Sequence, residues 1–388
     1  MIKWQSINDI STNVFAGGTP STTHAEYYDG DIPWIRSGEI DFNVIKSAER
    51  NISELGFNNS SAKKIRKNSV VMAMTGATVA KTAVVEIETT ANQSVCAIET
   101  NEDIVNYKYL FYFLANNYFK IKSSAQGALT SLNLAMIKDI KIPIPSIKEQ
   151  RNYVEILDTF TASIANISLQ IMERQKQYEY YRNKLLDFKN NTDVETILLE
   201  DLFTFKNGLN KGKEYFGTGK PIIMFTNVYN SRFIKESMIT SRVEITEQEL
   251  GRINAQVGDV FFTRTSETKE DVGYASVLID EMKECTFAGF LIRARPITHK
   301  LLPEYCKYCF STPKVREAII SKSSFTTRAS LTGGGLGKVP IFVPSIEEQK
   351  RIVGILNYIE ITIANLEEQL ANRQKQYEFY RNKLLTFE

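Results

Sequence analysis

The chain has 388 residues, 43% of them hydrophobic and 24% charged, and its 47 Lys and Arg against 45 Asp and Glu leave a formal net charge of +2. That apolar content fills two domain cores, while the charge balance gives no strong footprint for a polyanion, so a nucleic-acid role has to rest on local patches. No apolar run is long enough to span a bilayer, Met1-Ile-Lys-Trp-Gln5 does not read as a secretory leader, and four scattered cysteines fit a reducing cytoplasm better than a disulfide framework.

In chain order, Ile32-Pro-Trp-Ile-Arg-Ser-Gly-Glu-Ile40 reads as a strand running into a polar loop, with Arg36 and Ser37 at its start. Lys63-Lys64-Ile65-Arg66-Lys67 is a basic patch, for which a solvated face is the ordinary reading. Ser69-Val-Val-Met-Ala-Met74 is an apolar, β-prone run after a turn residue, Asn68, and predicts a strand; the polar loop Thr75-Gly-Ala-Thr78 follows. Gly76-Ala-Thr-Val-Ala-Lys81-Thr82 mimics a P-loop, but it is one residue short and Ala80 stands where the second glycine is needed. A helical stretch near Tyr107–Ile121, a Ser/Gly-rich loop Ser123-Ser-Ala-Gln-Gly127 and a short β-prone run Ile140-Lys-Ile-Pro143 complete the first globular part.

Pro145-Ser146-Ile147-Lys148-Glu149 then opens a long helix through a Ser-x-x-Glu capping box, and apolar residues recur at steps of four and three: Tyr153, Leu157, Phe160, Ile164, Ile167, Ile171, Arg174, Tyr178, Tyr181, Leu185, Phe188. A mean step of 3.5 sustained this far predicts a coiled-coil seam. An amphipathic helix laid on its own domain is the alternative.

The second half repeats the plan. Lys206, Lys211 and Lys213 form a basic patch; Pro221-Ile-Ile-Met-Phe-Thr-Asn-Val228 matches the run at Ile32; Asp259-Val-Phe-Phe-Thr263 matches Ser69–Met74 and leads into the loop Arg264-Thr-Ser-Glu-Thr-Lys269. Helix near Pro303–Ser321 carries Cys306-Lys-Tyr-Cys309, a lone CxxC too poor in partners for a zinc site. Ser323-Ser-Phe-Thr-Thr-Arg-Ala-Ser330, running into Gly333-Gly-Gly335, is the Ser/Thr/Gly loop, and Lys338-Val-Pro-Ile-Phe-Val343 the short run before the second long helix. That helix opens at Pro344-Ser345-Ile346-Glu347-Glu348, with the seam Ile352, Leu356, Ile359, Ile363, Leu366, Leu370, Arg373, Tyr377, Tyr380, Leu384, Phe387. From Pro145 to Phe188 against Pro344 to Phe387, 25 of 44 positions are identical.

An internal repeat decides architecture first. The expected organisation is a mixed α/β fold with two similar globular domains, 1–145 and 189–344, separated by an antiparallel coiled coil of two long helices, 146–188 and 345–388, pseudo-two-fold and quasi-cyclic. Antiparallel pairing follows from the order domain, helix, domain, helix, because parallel pairing would oblige the second domain to carry the chain back a whole helix length. Catalytic constellations are missing: His24 and His299 are the only histidines, too few for a triad or an ordinary zinc enzyme, and no glycine-rich nucleotide fingerprint follows a strand. A binding role is expected, with no metal and no cofactor in this chain.

With its duplicated layout, its two Pro-Ser-Ile-x-Glu-Gln helix starts (Pro145–Gln150 and Pro344–Gln349), the Ser69–Lys81 strand-loop with its Gly-Ala-Thr turn and the Gly/Ser/Thr loop before each long helix, the chain resembles the specificity subunits of type I restriction–modification systems. The resemblance implies two target-recognition domains, each reading one half of a split double-stranded DNA site. It implies helices that set the spacing and dock two methyltransferase subunits, restriction subunits in the full complex, and S-adenosylmethionine, ATP and Mg confined to those partners. The second domain departs from the pattern, since Arg264–Lys269 lacks the Gly-Ala-Thr turn. A non-DNA coiled-coil adaptor and a self-contained nuclease or methyltransferase stay as rival readings.

Directional donors and acceptors read base edges, so the DNA-contacting candidates are Arg36, Ser37, Thr75, Thr78 and Lys81 in the first domain and Arg264, Thr265, Lys269, Thr327 and Arg328 in the second. A seam needs only apolar residues. The repeated solvent face, Gln175, Lys176, Glu179, Arg182 and Lys184 recurring as Gln374, Lys375, Glu378, Arg381 and Lys383, therefore points to two copies of one docking partner, or to a recent duplication. Arg174 and Arg373, the polar members of each seam, either fix register or cover apolar surface with their stems while the guanidinium reaches water.

Overall fold

The computed structural model describes residues 2–125, 131–189 and 193–387, so the Gln126–Gly127 end of the first Ser/Gly loop lies outside the described residues. The chain divides into two compact units, Met1–Ser168 with Glu368–Glu388, and Leu169–Glu367. Each unit thus takes the first part of one long helix and the last part of the other.

In unit 1 a five-stranded sheet runs in the spatial order Ser11–Ala16, Val95–Thr100, Ser69–Ala73, Thr82–Val85, Val44–Ile45. All pairs are antiparallel except the last. Successive strand residues face opposite ways. Val70 and Met72 join a core with the helix Tyr107–Asn116, while Val71 and Ala73 join a second core on the other face. Burial on both faces explains why this strand reads as a continuous apolar run rather than an alternation.

Unit 2 repeats the topology strand for strand: Phe203–Asn207, Leu291–Pro296, Val260–Thr263, Ala275–Leu278, Phe233–Ile234. The small sheets correspond too. Asn51–Ile52, Tyr28–Ile35, Thr90–Ala91 matches Arg242–Val243, Phe216–Ile223, Thr286–Phe287, and the pair Lys3–Ser6 with Lys141–Ile144 matches Glu195–Leu198 with Pro340–Val343. Among the described residues unit 2 has one sheet that unit 1 lacks, Thr265–Ser266, Ala329–Ser330, Ser324–Phe325.

The long helices are Ile147–Leu185 and Ile346–Leu385. Ser146 caps the first as expected: its hydroxyl accepts from Glu149 N–H at 3.3 Å, and Glu149 Oε2 takes the Ser146 N–H at 2.9 Å. The second box is half made. Ser345 accepts from Glu348 N–H at 3.2 Å, but the Glu348 carboxylate turns to Arg351 at 2.6 and 2.7 Å. Within unit 1 Leu157 and Leu385 share a core, Phe160 stacks on Tyr380 at 5.3 Å, and Arg373 lies 5.6 Å above Phe160. Numbers rise in one helix as they fall in the other, so the pairing is antiparallel.

Two seam expectations are corrected. Tyr181 and Tyr380 are each 40% exposed, and the buried residues near the helix ends are Leu186 and Leu385 rather than Leu185 and Leu384. A straight helix drifts about 20° per heptad from a 3.5 repeat, so after several heptads the inward position steps on by one residue. Arg174 is exposed and bonds Gln177 at 2.7 Å, as Arg373 bonds Gln376 at 3.2 Å. Neither arginine is buried: Arg373 is half-exposed over the Phe160 ring, and Arg174 stands exposed.

Candidate nucleic-acid interface

The unit 1 candidates converge on the loops at one end of the central sheet. Chain reversal after Ser69–Ala73 depends on Gly76, at φ +77°, and on Ala80, at φ +66°, whose N–H bonds the Ala73 carbonyl at 2.8 Å. Between them Gly76–Thr78 makes a single 3-10 turn, not a phosphate-cradling P-loop. Thr78 Oγ1 donates to the Ser37 carbonyl at 3.0 Å and ties this turn to the Ser37–Glu39 turn. Arg36, whose backbone N–H is held by Glu39 at 2.8 Å, extends its guanidinium to Glu49 at 2.5 Å. Lys81 pairs with Asp41 at 2.6 Å and lies 5.9 Å above the Phe42 ring. Thr75, half-buried, leads into the same turn. So the five candidates share one neighbourhood, but its two cations already hold carboxylate partners. A phosphate or base edge would compete with Glu49 and Asp41 for them.

In unit 2 the corresponding hairpin closes the same way, Gly273 N–H bonding the Thr263 carbonyl at 2.9 Å. Gly273 sits at φ +72°, where an added Cβ would lie 2.3 Å from Ile319 Cγ2. The longer loop before it replaces the Gly-Ala-Thr turn with the strand Thr265–Ser266. That strand pairs with Ala329–Ser330, and so brings Arg264 and Thr265 beside the hairpin whose tip holds Thr327 and Arg328. The Arg264 backbone is fixed between Phe290 and Leu331, and its Nη1 donates to the Gly289 carbonyl at 3.3 Å. Lys269 and Arg328 are exposed, with no side-chain partner among the described residues. Unit 2 thus offers free cations where unit 1 offers paired ones.

The basic patches do not divide this way, since each has committed members. Lys211 is committed to Glu249 at 2.8 Å, Lys64 to Glu88 at 3.4 Å, and Arg66 to the Thr100 carbonyl. Cys306 and Cys309 are two buried thiols of the helix Pro303–Cys309, and no cluster able to hold a metal occurs among the described residues.

The repeated helix face carries the same array in both units. Arg182 lies 5.8 Å above Tyr178 and Lys184 5.4 Å above Tyr180; Arg381 lies 5.4 Å above Tyr377 and Lys383 5.9 Å above Phe379. Gln175, Lys176 and Glu179, like Gln374, Lys375 and Glu378, are exposed beside them. Sequence reasoning passed over Tyr180 and Phe379, exposed by 58% and 61%. It also passed over Gln150 and Gln349, the last residue of each helix-start motif, both fully buried. Gln150 accepts from Asn106 N–H at 2.8 Å and donates to Ile104 and Pro145 at 3.0 and 2.9 Å. Gln349 accepts from Leu302 at 2.9 Å and donates to Lys300 and Pro344 at 2.7 and 2.8 Å. The repetition of the motif was the available signal.

A duplicated α/β unit with a shared sheet plan, divergent end loops and a long helix after each copy defines the class. The model of the family described as "Type I restriction modification DNA specificity domain" matches residues 1–174 and again 191–373, and the chain belongs to that family. It is 33% identical over 198 residues to the EcoR124I/EcoR124II specificity subunit of Escherichia coli, a stretch covering 48% of each chain. Across the first relatives matched, the chain spans 47% to 63% of their length. In fold it is similar to the type I S subunit of M. genitalium, with TM-score 0.61 and 14% identity over 100% of this chain and 97% of that one. It is also similar to the HsdS subunit of Thermoanaerobacter tengcongensis, with TM-score 0.53 and 17% identity over 99% and 95%. No helix among the described residues is long and apolar enough to cross a membrane.

Proposed function

We propose that this chain is the DNA-specificity subunit of a type I restriction–modification complex, each unit reading one half of a bipartite double-stranded site. The observation that carries this reading is the doubled family match over 1–174 and 191–373, with one sheet plan in both units and different loops at the same sheet end. A common framework holding divergent loops is how two readers of different sequences are built. Arg264, Thr265, Lys269, Thr327 and Arg328 are the base and phosphate contacts of the second half-site, and Arg36, Ser37, Thr75, Thr78 and Lys81 those of the first. The twin arrays at Arg182 and Lys184 and at Arg381 and Lys383 dock two methyltransferase subunits. The long helices set the unread gap. S-adenosylmethionine, ATP and Mg are supplied on the partner subunits, and this chain performs no chemistry of its own.

Sequencing of modified adenines in cells that carry or lack the gene tests the reading. Exchange of residues 189–343 for those of a relative should change one half of the methylated sequence and preserve the other. A heptad added to both helices should widen the gap with both halves intact. A swap that alters both halves, or neither, overturns the assignment.

A further inference from the structure

Beside the recognition loop of unit 2 lies a cleft of about 530 Å³ whose lining includes Arg182, Arg232, Lys307 and Arg316 but a single carboxylate, Glu360. Glu360 is shared between Lys307 at 2.5 Å and Arg232 at 3.3 Å. Among the described residues Arg182 meets only the Asn183 amide oxygen and the Tyr178 ring. Arg316 lies 4.2 Å above the Tyr274 ring and gives Nη2 to the Glu270 carbonyl at 2.7 Å, while its Nη1 is buried with no hydrogen-bond partner among the described residues. Asp271 stands outside the lining and is held by Tyr229 at 2.9 Å and Thr268 at 2.7 Å.

The scaffold does not require this charge. Val44–Ile45 pairs with Val84–Val85 as Phe233–Ile234 pairs with Val277–Leu278, so Asn43 stands where Arg232 does and Phe42 where Ser231 does. In unit 1 the Phe42 ring packs edge-on to Tyr118 at 5.1 Å. Arg232 is therefore particular to unit 2, while Arg182 recurs in unit 1 as Arg381. A desolvated guanidinium with an unused N–H is stabilised by an anion that accepts it.

We propose that this cleft is a phosphate-binding site, with the guanidinium forks of Arg316 and Arg232 as the principal donors and Lys307 as further charge. The phosphate comes either from a DNA backbone or from a free nucleotide, with Tyr229 and Tyr274 on the cleft wall. The backbone source is favoured by Arg316, which holds Glu270 in the loop that carries Arg264, Thr265 and Lys269. A strand read by that loop passes the cleft. This source rests on the function proposed above; phosphate binding itself does not.

The test uses the full chain, with inorganic phosphate and ATP as calorimetric probes and duplex DNA titrated across salt concentrations. Two variants are compared: Arg316→Met, which keeps a stem over Tyr274, and Asn230→Glu, which sets a carboxylate at the exposed mouth and leaves the backbone bond of residue 230 to Thr226 in place. A backbone site lowers the DNA salt slope by about one in both variants. A free-nucleotide site shows saturable ATP or phosphate binding that both variants weaken about tenfold or more, with the DNA salt slope unmoved. Either result supports the site and names its source. Wild-type chain that binds neither probe, and variants that leave the salt slope unchanged, overturn it. Should the methylation readout show no sequence choice while phosphate binding persists and responds to Asn230→Glu, the DNA reading falls and the site stands.

Discussion

Asp259 is 1% exposed and takes two bonds from Arg295, at 2.8 and 2.7 Å, and one from the Gln256 N–H at 2.7 Å. Arg293 is buried close by, and burial, with the charge of Arg295, pulls its guanidinium below the ordinary value. Removing the carboxylate takes the ion pair from Arg295 and a nearby countercharge from Arg293. Asp259→Ala should cost unit 2 about 3–5 kcal/mol, read as a fall in its urea midpoint, and a midpoint that holds would refute the point. Glu249 makes the pH argument. Bonds from Lys211 and from the Thr246 backbone and hydroxyl lower its carboxyl to about 2. A carboxyl lowered on folding contributes stability that is full above its unfolded value and fades as pH falls toward the folded one. The gap between wild type and Glu249→Gln should therefore shrink as pH drops from the ordinary carboxylate range toward about 2, and a gap independent of pH would count against it.

At the scale of elements, the fastening of each long helix matters more than its seam. Gln150 and Gln349 each satisfy one backbone N–H and two carbonyls at the point where helix meets domain. Replacing either by Leu keeps the volume but leaves those groups unpaired in a dry site. Each unsatisfied group costs about 1–3 kcal/mol, so Gln150→Leu and Gln349→Leu should each lower stability by several times the effect of Tyr181→Ala, measured by hydrogen exchange of the matching unit. The helices, their caps and the apolar strands were legible because each rests on a local pattern: Ser with Glu three on, a 3.5 step, a run of Val and Met. What Gln150 does was not, because a polar side chain declares its burial only through neighbours distant in sequence. The same holds for the Arg36–Glu49 and Lys81–Asp41 pairs, which turned apparently free candidate readers into engaged ones.

For the whole molecule, the duplication was legible from 25 identities in 44 positions, whereas the extra sheet of unit 2 was not. Its strands are two residues long and exist only through mutual pairing. The cation cleft escaped for a related reason, since Arg182, Arg232, Lys307 and Arg316 are scattered along the chain. Unit 1 depends on residues 368–388. A chain cut after Glu367 should keep unit 2 protected from hydrogen exchange and lose protection around Val154 and Leu157, which share a core with Leu385. Leu157 and Leu385 lie roughly 230 residues apart, and at about 5–20 residues per second of synthesis the first waits on the order of 10–45 s for the second. The unit that leaves the ribosome first is thus the last to close, and during that interval Val154 and Leu157 lack the cover that Leu385 supplies, which makes the nascent chain a natural client for a chaperone.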